Sequence, residues 1–383
     1  MRNGTRYTAV GIRHPASGSR QSASGTFVTA AAAITAAARL NPPINLKIRG
    51  YSIIRYIIFF HQKIHHKFSI FPEIINLPPM AKLPGLTVFL LTAIFCLLTS
   101  CTSEPMPDPR YDFDLQGHRG ARGLLPENTI PSFLLAVDLG VNTIEFDVVV
   151  TADRHLLVSH EPWFHQNIST KPDGSPVTAE EAMDLNMYRM TSDEVLQYDV
   201  GIRGHVNFPD QQPLAVVKPL MADAIEAIEA HAAERGIDPV MYNIETKSLP
   251  EWYGVMVPEP DDFARLLYDE LAGLGVLDRV FIQSFDVNTL IAMREIDPEV
   301  PLVLLVDNEL SMRENLDLLG FVPKVYSPNF RLVTPERVVQ AHELGMQVIP
   351  WTINQTDEMR RQLEMGVDGI ITDYPDQAAV LRR

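Results

Sequence analysis

TIEFDVVVTADRHLLVSHE occupies residues 143–161. Its first eight residues, 143–150, are apolar or β-branched apart from Glu145 and Asp147. So short a run, rich in Val and Ile, reads as a strand buried on both faces. TADR (151–154) reads as a turn, and HLLVS (155–159) as a strand folded back on the first. A strand covered on both faces needs a layer on each side, and the surrounding sequence supplies the pieces. Strand-like segments recur at 114–117, 240–246, 280–285, 301–306, 325–328, 347–352 and 369–373. Helix-like segments lie between them at 129–139, 220–235, 261–274, 286–296, 311–319, 334–345 and 355–365. Several of these are followed by Gly, the residue that most easily takes the left-handed turn closing a helix.

Eight strands alternating with helices predict an α/β fold, a (β/α)8 TIM barrel over 114–383, with an open doubly wound sheet as the alternative topology. The alternation breaks at 161–219, a stretch rich in Pro, Asp and Met. It is expected to be a small insertion after the second strand, forming a lid or subdomain over the barrel mouth.

The 383-residue chain is 46% hydrophobic, enough for a large core. Its net charge of −16 conceals an asymmetry. Residues 1–79 hold ten Lys/Arg and one acidic residue, Glu73, whereas from 101 onward 47 acidic residues face 21 basic ones. So acidic a body argues against nucleic acid or an anionic membrane surface as a broad electrostatic partner. Residues 80–100 begin with Met80 and Lys82, run through an apolar stretch and end Leu98-Thr99-Ser100 before Cys101. That is the layout of a secretory signal, too short in its apolar part for a comfortable membrane span. The Leu-Thr-Ser-Cys ending resembles the lipobox of bacterial lipoproteins, which implies lipidation of Cys101, export, and anchoring to the cell envelope membrane. Residues 1–79 lack periodicity and are expected to be a gene-model extension or disordered; 101–113 is expected to be a tether. Only Cys96 and Cys101 are cysteines, so a body without its signal is expected to have no disulfide, Cys-based zinc site or Cys nucleophile.

In a barrel of this kind, chemistry sits where strands end and βα loops begin. His118 and Arg119 follow the first strand inside Gly-His-Arg-Gly, whose glycines are expected to let backbone approach a ligand. Asn128 or Thr129 is the expected cap of the next helix. Glu145 and Asp147 are two apart on a strand and share a face, as do Glu245 and Lys247. Three inward carboxylates on neighbouring strands repel one another and lose hydration unless a cation sits among them. A hard divalent ion with oxygen ligands, Ca²⁺ or Mg²⁺, is expected at Glu145, Asp147 and Glu245. The hairpin strand ends at His160. Gln283, Phe285 and Trp351 fall at the ends of later strands as expected substrate contacts, and Asp373 reads as a helix cap.

Taken in order, GHRGARGLLPENTIPSF, IEFDVVVTADRHLLVSHE, IETK, QSFD, PWTIN and GVDGIITDYP resemble the glycerophosphodiester phosphodiesterases over residues 115–382. The resemblance implies a TIM barrel with a small insertion after the second strand and a divalent-metal-dependent hydrolase. Its substrate would be a glycerophosphodiester, cleaved to glycerol 3-phosphate and an alcohol. It further implies His118 and His160 as the general acid/base pair, Glu145, Asp147 and Glu245 as metal ligands, and Arg119 and Lys247 as phosphate contacts. Glu161 departs from the family, which has Asp after the second histidine. The alternatives weighed are a related barrel phosphodiesterase for phosphoinositide or sphingolipid headgroups, a glycoside hydrolase, and a surface-binding lipoprotein without turnover.

Overall fold

A computed structural model describes residues 112–381. The expected extension 1–79, signal 80–100 and lipidation site Cys101 lie outside the described residues, as does nearly all of the 101–113 tether. None of the helices among the described residues is long and apolar enough to cross a membrane.

The strands are β1 (Asp114–His118), β2 (Thr143–Val150), β3 (Leu156–Val158), β4 (Met241–Thr246), β5 (Val280–Ser284), β6 (Leu302–Val306), β7 (Val325–Pro328), β8 (Gln347–Val348) and β9 (Gly369–Thr372). All except β3 run parallel, in the order β8-β7-β6-β5-β4-β2-β1-β9. Backbone bonds join the two ends: Asp368 N–H to Val348 O at 2.9 Å, Ile371 N–H to Pro350 O at 3.0 Å and Ile353 N–H to Ile371 O at 2.9 Å. The eight parallel strands therefore form a (β/α)8 TIM barrel rather than an open sheet. The expected strand 347–352 is regular only over Gln347–Val348. Pro350 has no N–H to give to the ladder, which explains the early end.

Period-two alternation divides every strand between two surroundings. Ile144, Phe146 and Val148 of β2 face outward into the core beneath the helices, together with Tyr242 and Ile244 of β4. Helix α1 (Ile130–Leu139) lays Phe133 against Phe146 with ring centroids 5.5 Å apart. Each such fully buried ring contributes about 1.5–3 kcal/mol. Gly140 ends α1 at φ 85°, a backbone region where a Cβ is strained.

β3 pairs antiparallel with β2, Val158 opposite Val148. Val149 and Leu157 of this hairpin seat a second small core made with Phe164, Met187, Val195 and Val200 of the 161–219 segment. That segment reaches the loops after β1 and β4. Gln211 Nε2 donates to Arg122 O at 2.8 Å, and Asn186 Nδ2 donates to Val255 O at 2.8 Å. It therefore packs at the face where the parallel strands end.

One local expectation is corrected. Thr129 stands at the start of α1 without capping it; its hydroxyl donates to Pro126 O at 2.6 Å, and the Asn128 side chain turns to Asp147. The glycines of Gly-His-Arg-Gly serve the tightness of the loop. A Cβ on Gly117 would meet Gly120 O at 2.6 Å, and one on Gly120 would meet Ser132 Oγ at 2.6 Å. The loop is clamped onto α1, and a side chain at either position would force it off.

Candidate active site

β1 and the loop after it carry His118 and Arg119 to the C-terminal rim of the barrel. Arg119 has φ 51° and Asn128 has φ 56°. Such backbone costs on the order of 1–3 kcal/mol outside glycine, so the surroundings must enforce it. They do: the Arg119 N–H donates to Glu145 Oε2 at 2.9 Å, and the Asn128 N–H donates to Arg119 O at 3.1 Å.

Glu145, Asp147 and Glu245 are all buried, with one oxygen from each lying within 4.8 Å of the others. Burial, followed by the charges of Asp147 and Glu245, pushes Glu145 well above the usual carboxylate range. Burial also pushes Glu245 up to about 7, with Lys247 opposing it and Asp147 reinforcing it. For Asp147, burial acts upward but is outweighed by Arg119, His160 and Lys247, which hold it well below the ordinary value. Two neighbours therefore resist ionisation while the third stays charged, the situation a bound cation relieves. One further observation fits a cation: buried Asp147 Oδ1 has no hydrogen-bond donor, an expense that structures rarely leave uncompensated. The donor set of three carboxylates is that of a hard oxygen-liganded metal.

The remaining expected residues fall around this cluster. Lys247 Nζ donates to Glu245 Oε1 at 2.6 Å and lies 3.7 Å from Asp147 Oδ1. Arg119 Nη1 donates to Glu127 Oε1 at 2.7 Å, and its Nε lies 3.3 Å from Asp147 Oδ2. Gln283 Nε2 donates to Glu145 Oε1 at 2.7 Å and receives Asn243 Nδ2 at 3.0 Å. It thus orients a carboxylate of the cluster as well as facing the site. Phe285 and Trp351 meet edge to face with centroids 5.4 Å apart. A cavity of about 250 Å³ is lined by His118, Arg119, Glu145, His160, Glu245, Gln283, Phe285 and Trp351, among others. Asp147 and Lys247 are buried beside it and bound to its wall through Arg119 and Glu245.

Each imidazole on the cavity is held at Nδ1 by a carboxylate. His118 Nδ1 lies 2.6 Å from Asp373 Oδ1, and His160 Nδ1 lies 2.7 Å from Glu161 Oε1. The longer Glu161 therefore reaches its histidine. Nδ1–H on an acceptor fixes the tautomer and leaves Nε2 for proton transfer. Burial lowers His118 while Asp373 works against it. Burial, then Arg119 and Lys247, lower His160 to about 4.

Asp373 corrects the expectation of a helix cap. Its carboxylate is spent on His118 and on Asn354 Nδ2, 2.7 Å away. Asn128, Glu127 and Arg122 are likewise site residues that the sequence reading passed over. Asn128 Nδ2 donates to Asp147 Oδ2 at 2.8 Å, and Glu127 lies between Arg119 and Arg122. PENT (126–129) was the available signal, because its acid and amide are one turn away from a helix start that proved to need neither. Lys218, buried and without a hydrogen bond or ion pair among the described residues, also sits in the field of Glu161, Glu127 and Asp147, and burial lowers it. Nothing in its sequence context signals this.

A barrel whose rim holds a buried acidic cluster able to take a metal, with two carboxylate-held imidazoles beside it, has the groups for metal-assisted acid/base chemistry. Comparison with known proteins narrows that chemistry. Residues 118–377 match the model of the Glycerophosphoryl diester phosphodiesterase family. A Bacillus altitudinis glycerophosphodiester phosphodiesterase is 28% identical over 269 residues, covering 69% of this chain and 96% of that protein. One from Caldanaerobacter subterraneus is 27% identical, covering 68% of this chain and 93% of that protein. Among solved structures, a Silicibacter pomeroyi protein provisionally named a glycerophosphoryl diester phosphodiesterase is 29% identical with a TM-score of 0.63, covering 71% of this chain and 93% of that one. An Oleispira antarctica phosphodiesterase solved with the product sn-glycerol-3-phosphate is 21% identical with a TM-score of 0.55, covering 70% and 96%, and shares the fold. The chain belongs to the glycerophosphoryl diester phosphodiesterase family and is an enzyme of that class.

Proposed function

We propose that the chain hydrolyses glycerophosphodiesters to glycerol 3-phosphate and an alcohol by histidine acid/base catalysis at the site of Glu145, Asp147 and Glu245. One observation carries this reading: both imidazoles open on the cavity whose wall includes Glu145 and Glu245. Those two carboxylates and Asp147 would hold Ca²⁺ or Mg²⁺. When bound, the ion supplies positive charge to the phosphoryl oxygens and to the attacking hydroxyl.

The protein's own groups do the rest. A neutral imidazole takes the proton of the glycerol 2-hydroxyl, whose oxygen forms a bond to phosphorus. The P–O bond to the alcohol breaks, and the other imidazole, protonated, gives its proton to the departing oxygen. The product is a cyclic phosphate of glycerol. Water then adds to phosphorus, one ring P–O bond opens, and the imidazoles exchange roles to give glycerol 3-phosphate. Asp373 and Glu161 keep each ring in the required tautomer. Arg119 places fixed positive charge at the cavity wall, where charge develops on the equatorial oxygens. Phe285 and Trp351 cover the glycerol side.

The test is release of glycerol 3-phosphate from glycerophosphocholine, glycerophosphoethanolamine and glycerophosphoinositol with Ca²⁺, with Mg²⁺ and with EDTA. Metal-dependent release is expected, and activity indifferent to chelation would rule the mechanism out. A lipid anchor at Cys101 is a second part of the proposal, supported by Leu-Thr-Ser-Cys. Cys101→Ser is expected to abolish fatty-acid labelling, and persistent labelling would refute it.

A further inference from the structure

A second cavity of about 160 Å³ adjoins the first. The two share Arg119, Arg122 and His160. The rest of its wall includes Glu127, Glu161 and, from the 161–219 segment, His165, Asn167, His205 and Asn207. The last four form a repeated pattern: His165-Gln166-Asn167 and His205-Val206-Asn207. In each, the backbone N–H of the Asn donates to Nδ1 of the His two residues before it, at 3.1 Å in both cases. A ring accepting at Nδ1 is neutral and carries its hydrogen on Nε2. Each turn thus presents one N–H donor, with no partner among the described residues, beside an Asn amide whose side chain makes no hydrogen bond among them either.

The wall is balanced in charge. Arg119 and Arg122 face Glu127 at 2.7 Å and 2.5 Å, and Glu161 is bonded to His160. It also lacks an open aromatic face. Phe208, the ring next to the second turn, is covered by the Arg122 guanidinium at 4.5 Å from its centroid. A quaternary ammonium group is held best by open aromatic faces or unpaired carboxylates, neither of which this wall offers, and it has no lone pair to accept from an N–H donor. A hydroxyl-rich neutral molecule can use both the donors and the amides.

We propose that this second cavity receives the leaving alcohol of the diester, and that its two His-x-Asn turns select a neutral polyol over a quaternary ammonium alcohol. This rests on the reading of the site as a glycerophosphodiesterase. The phosphoryl group lies at the wall shared by Arg119, Arg122 and His160, with glycerol in the first cavity and the departing polyol in the second. The 161–219 segment is then the specificity element, and the barrel supplies the chemistry.

The experiment uses the purified full chain with a divalent cation. It measures kcat/KM for glycerophosphoinositol, glycerophosphoglycerol, glycerophosphocholine and the methyl ester of glycerol phosphate, whose small alcohol barely enters the second cavity. The polyol diesters are expected to exceed the choline diester by about tenfold, roughly the share of one to two hydrogen bonds. Asn167→Ala and Asn207→Ala should each lower the ratio of polyol to methyl-diester kcat/KM by about fivefold. Because those amides make no internal hydrogen bonds, the variants should keep the wild-type Tm. A choline diester cleaved as well as the polyols, or a ratio unchanged in both variants, overturns the proposal. A wild-type chain that cleaves none of the four diesters overturns the reading of the site itself, and the proposal with it.

Discussion

On β1, β2, β4 and β5 the side chains that point into the barrel are mostly polar and joined to one another, Phe281 of β5 being an exception, whereas on β6 to β9 they are largely apolar. The polar half runs from Gln116 through Asn243 and Gln283 to Glu145 by bonds of 2.8, 3.0 and 2.7 Å. The apolar half packs Val303, Val325, Ile349 and Ile371 into a cluster of its own, with Phe281 and Trp351 at its edge. Both halves occupy the same kind of interior, so the difference lies in what holds each together. The apolar half is satisfied by contact alone. The polar half needs a partner for every donor and acceptor, and it leaves Asn243 Oδ1 and Asp147 Oδ1 without one. Such exceptions mark where a ligand is expected.

Substitutions in the two halves should therefore fail in different ways. His118→Ala removes one of the proton-transfer groups and is expected to cost about 10²–10⁴-fold in kcat with little change in Tm; near wild-type turnover would exclude His118 from the chemistry. Asp373→Asn keeps the shape but loses the carboxylate that fixes the His118 tautomer. A loss of up to about 10⁴-fold is expected, with a displaced acid limb in the pH profile, and an unshifted profile would reduce Asp373 to a packing role. Asp147→Asn should weaken Ca²⁺ or Mg²⁺ binding measured by titration calorimetry by at least about tenfold.

The pH profile sharpens the same contrast. Burial holds both imidazoles below the ordinary histidine value, His160 at about 4. A base works while neutral and an acid while protonated, so with both values held down kcat/KM should rise as pH falls toward about 6.5 and turn down only below it. A decline centred at or above that value, in protein shown to be folded by circular dichroism, would contradict the burial argument. The smallest effect belongs to the apolar half. Ile349→Val is expected to cost about 0.5–1.5 kcal/mol of stability in a denaturant titration, with kcat/KM changed less than about twofold. A large loss of activity would show that the apolar half does more than pack.

Much of the site was readable because its members lie close together in sequence. Glu145-x-Asp147 and Glu245-x-Lys247 declare a shared face through the two-residue period of a strand, and His118 and His160 stand where strands stop. Asp373 was missed because its partner, His118, is 255 residues away, and a strand-end Asp two residues ahead of a Pro looks like any cap. Asn128 was assigned to the helix start by residue type. A left-handed backbone at φ 56° sends its amide to Asp147 instead. The His-x-Asn turns lie in a segment without regular periodicity, where spacing carries no information about what faces what.

The sequence by itself determined the alternation of strands and helices, the carboxylates of the rim and the family, since each is written in local periodicity or short motifs. Tertiary structure alone decided that the sheet closes, that Asp373 belongs to His118, and that a second cavity opens beside the first. Closure brings the last strand against the first and the eighth, and distant loops into contact, and a hydrogen bond between residues remote in sequence leaves no trace in the spacing of either.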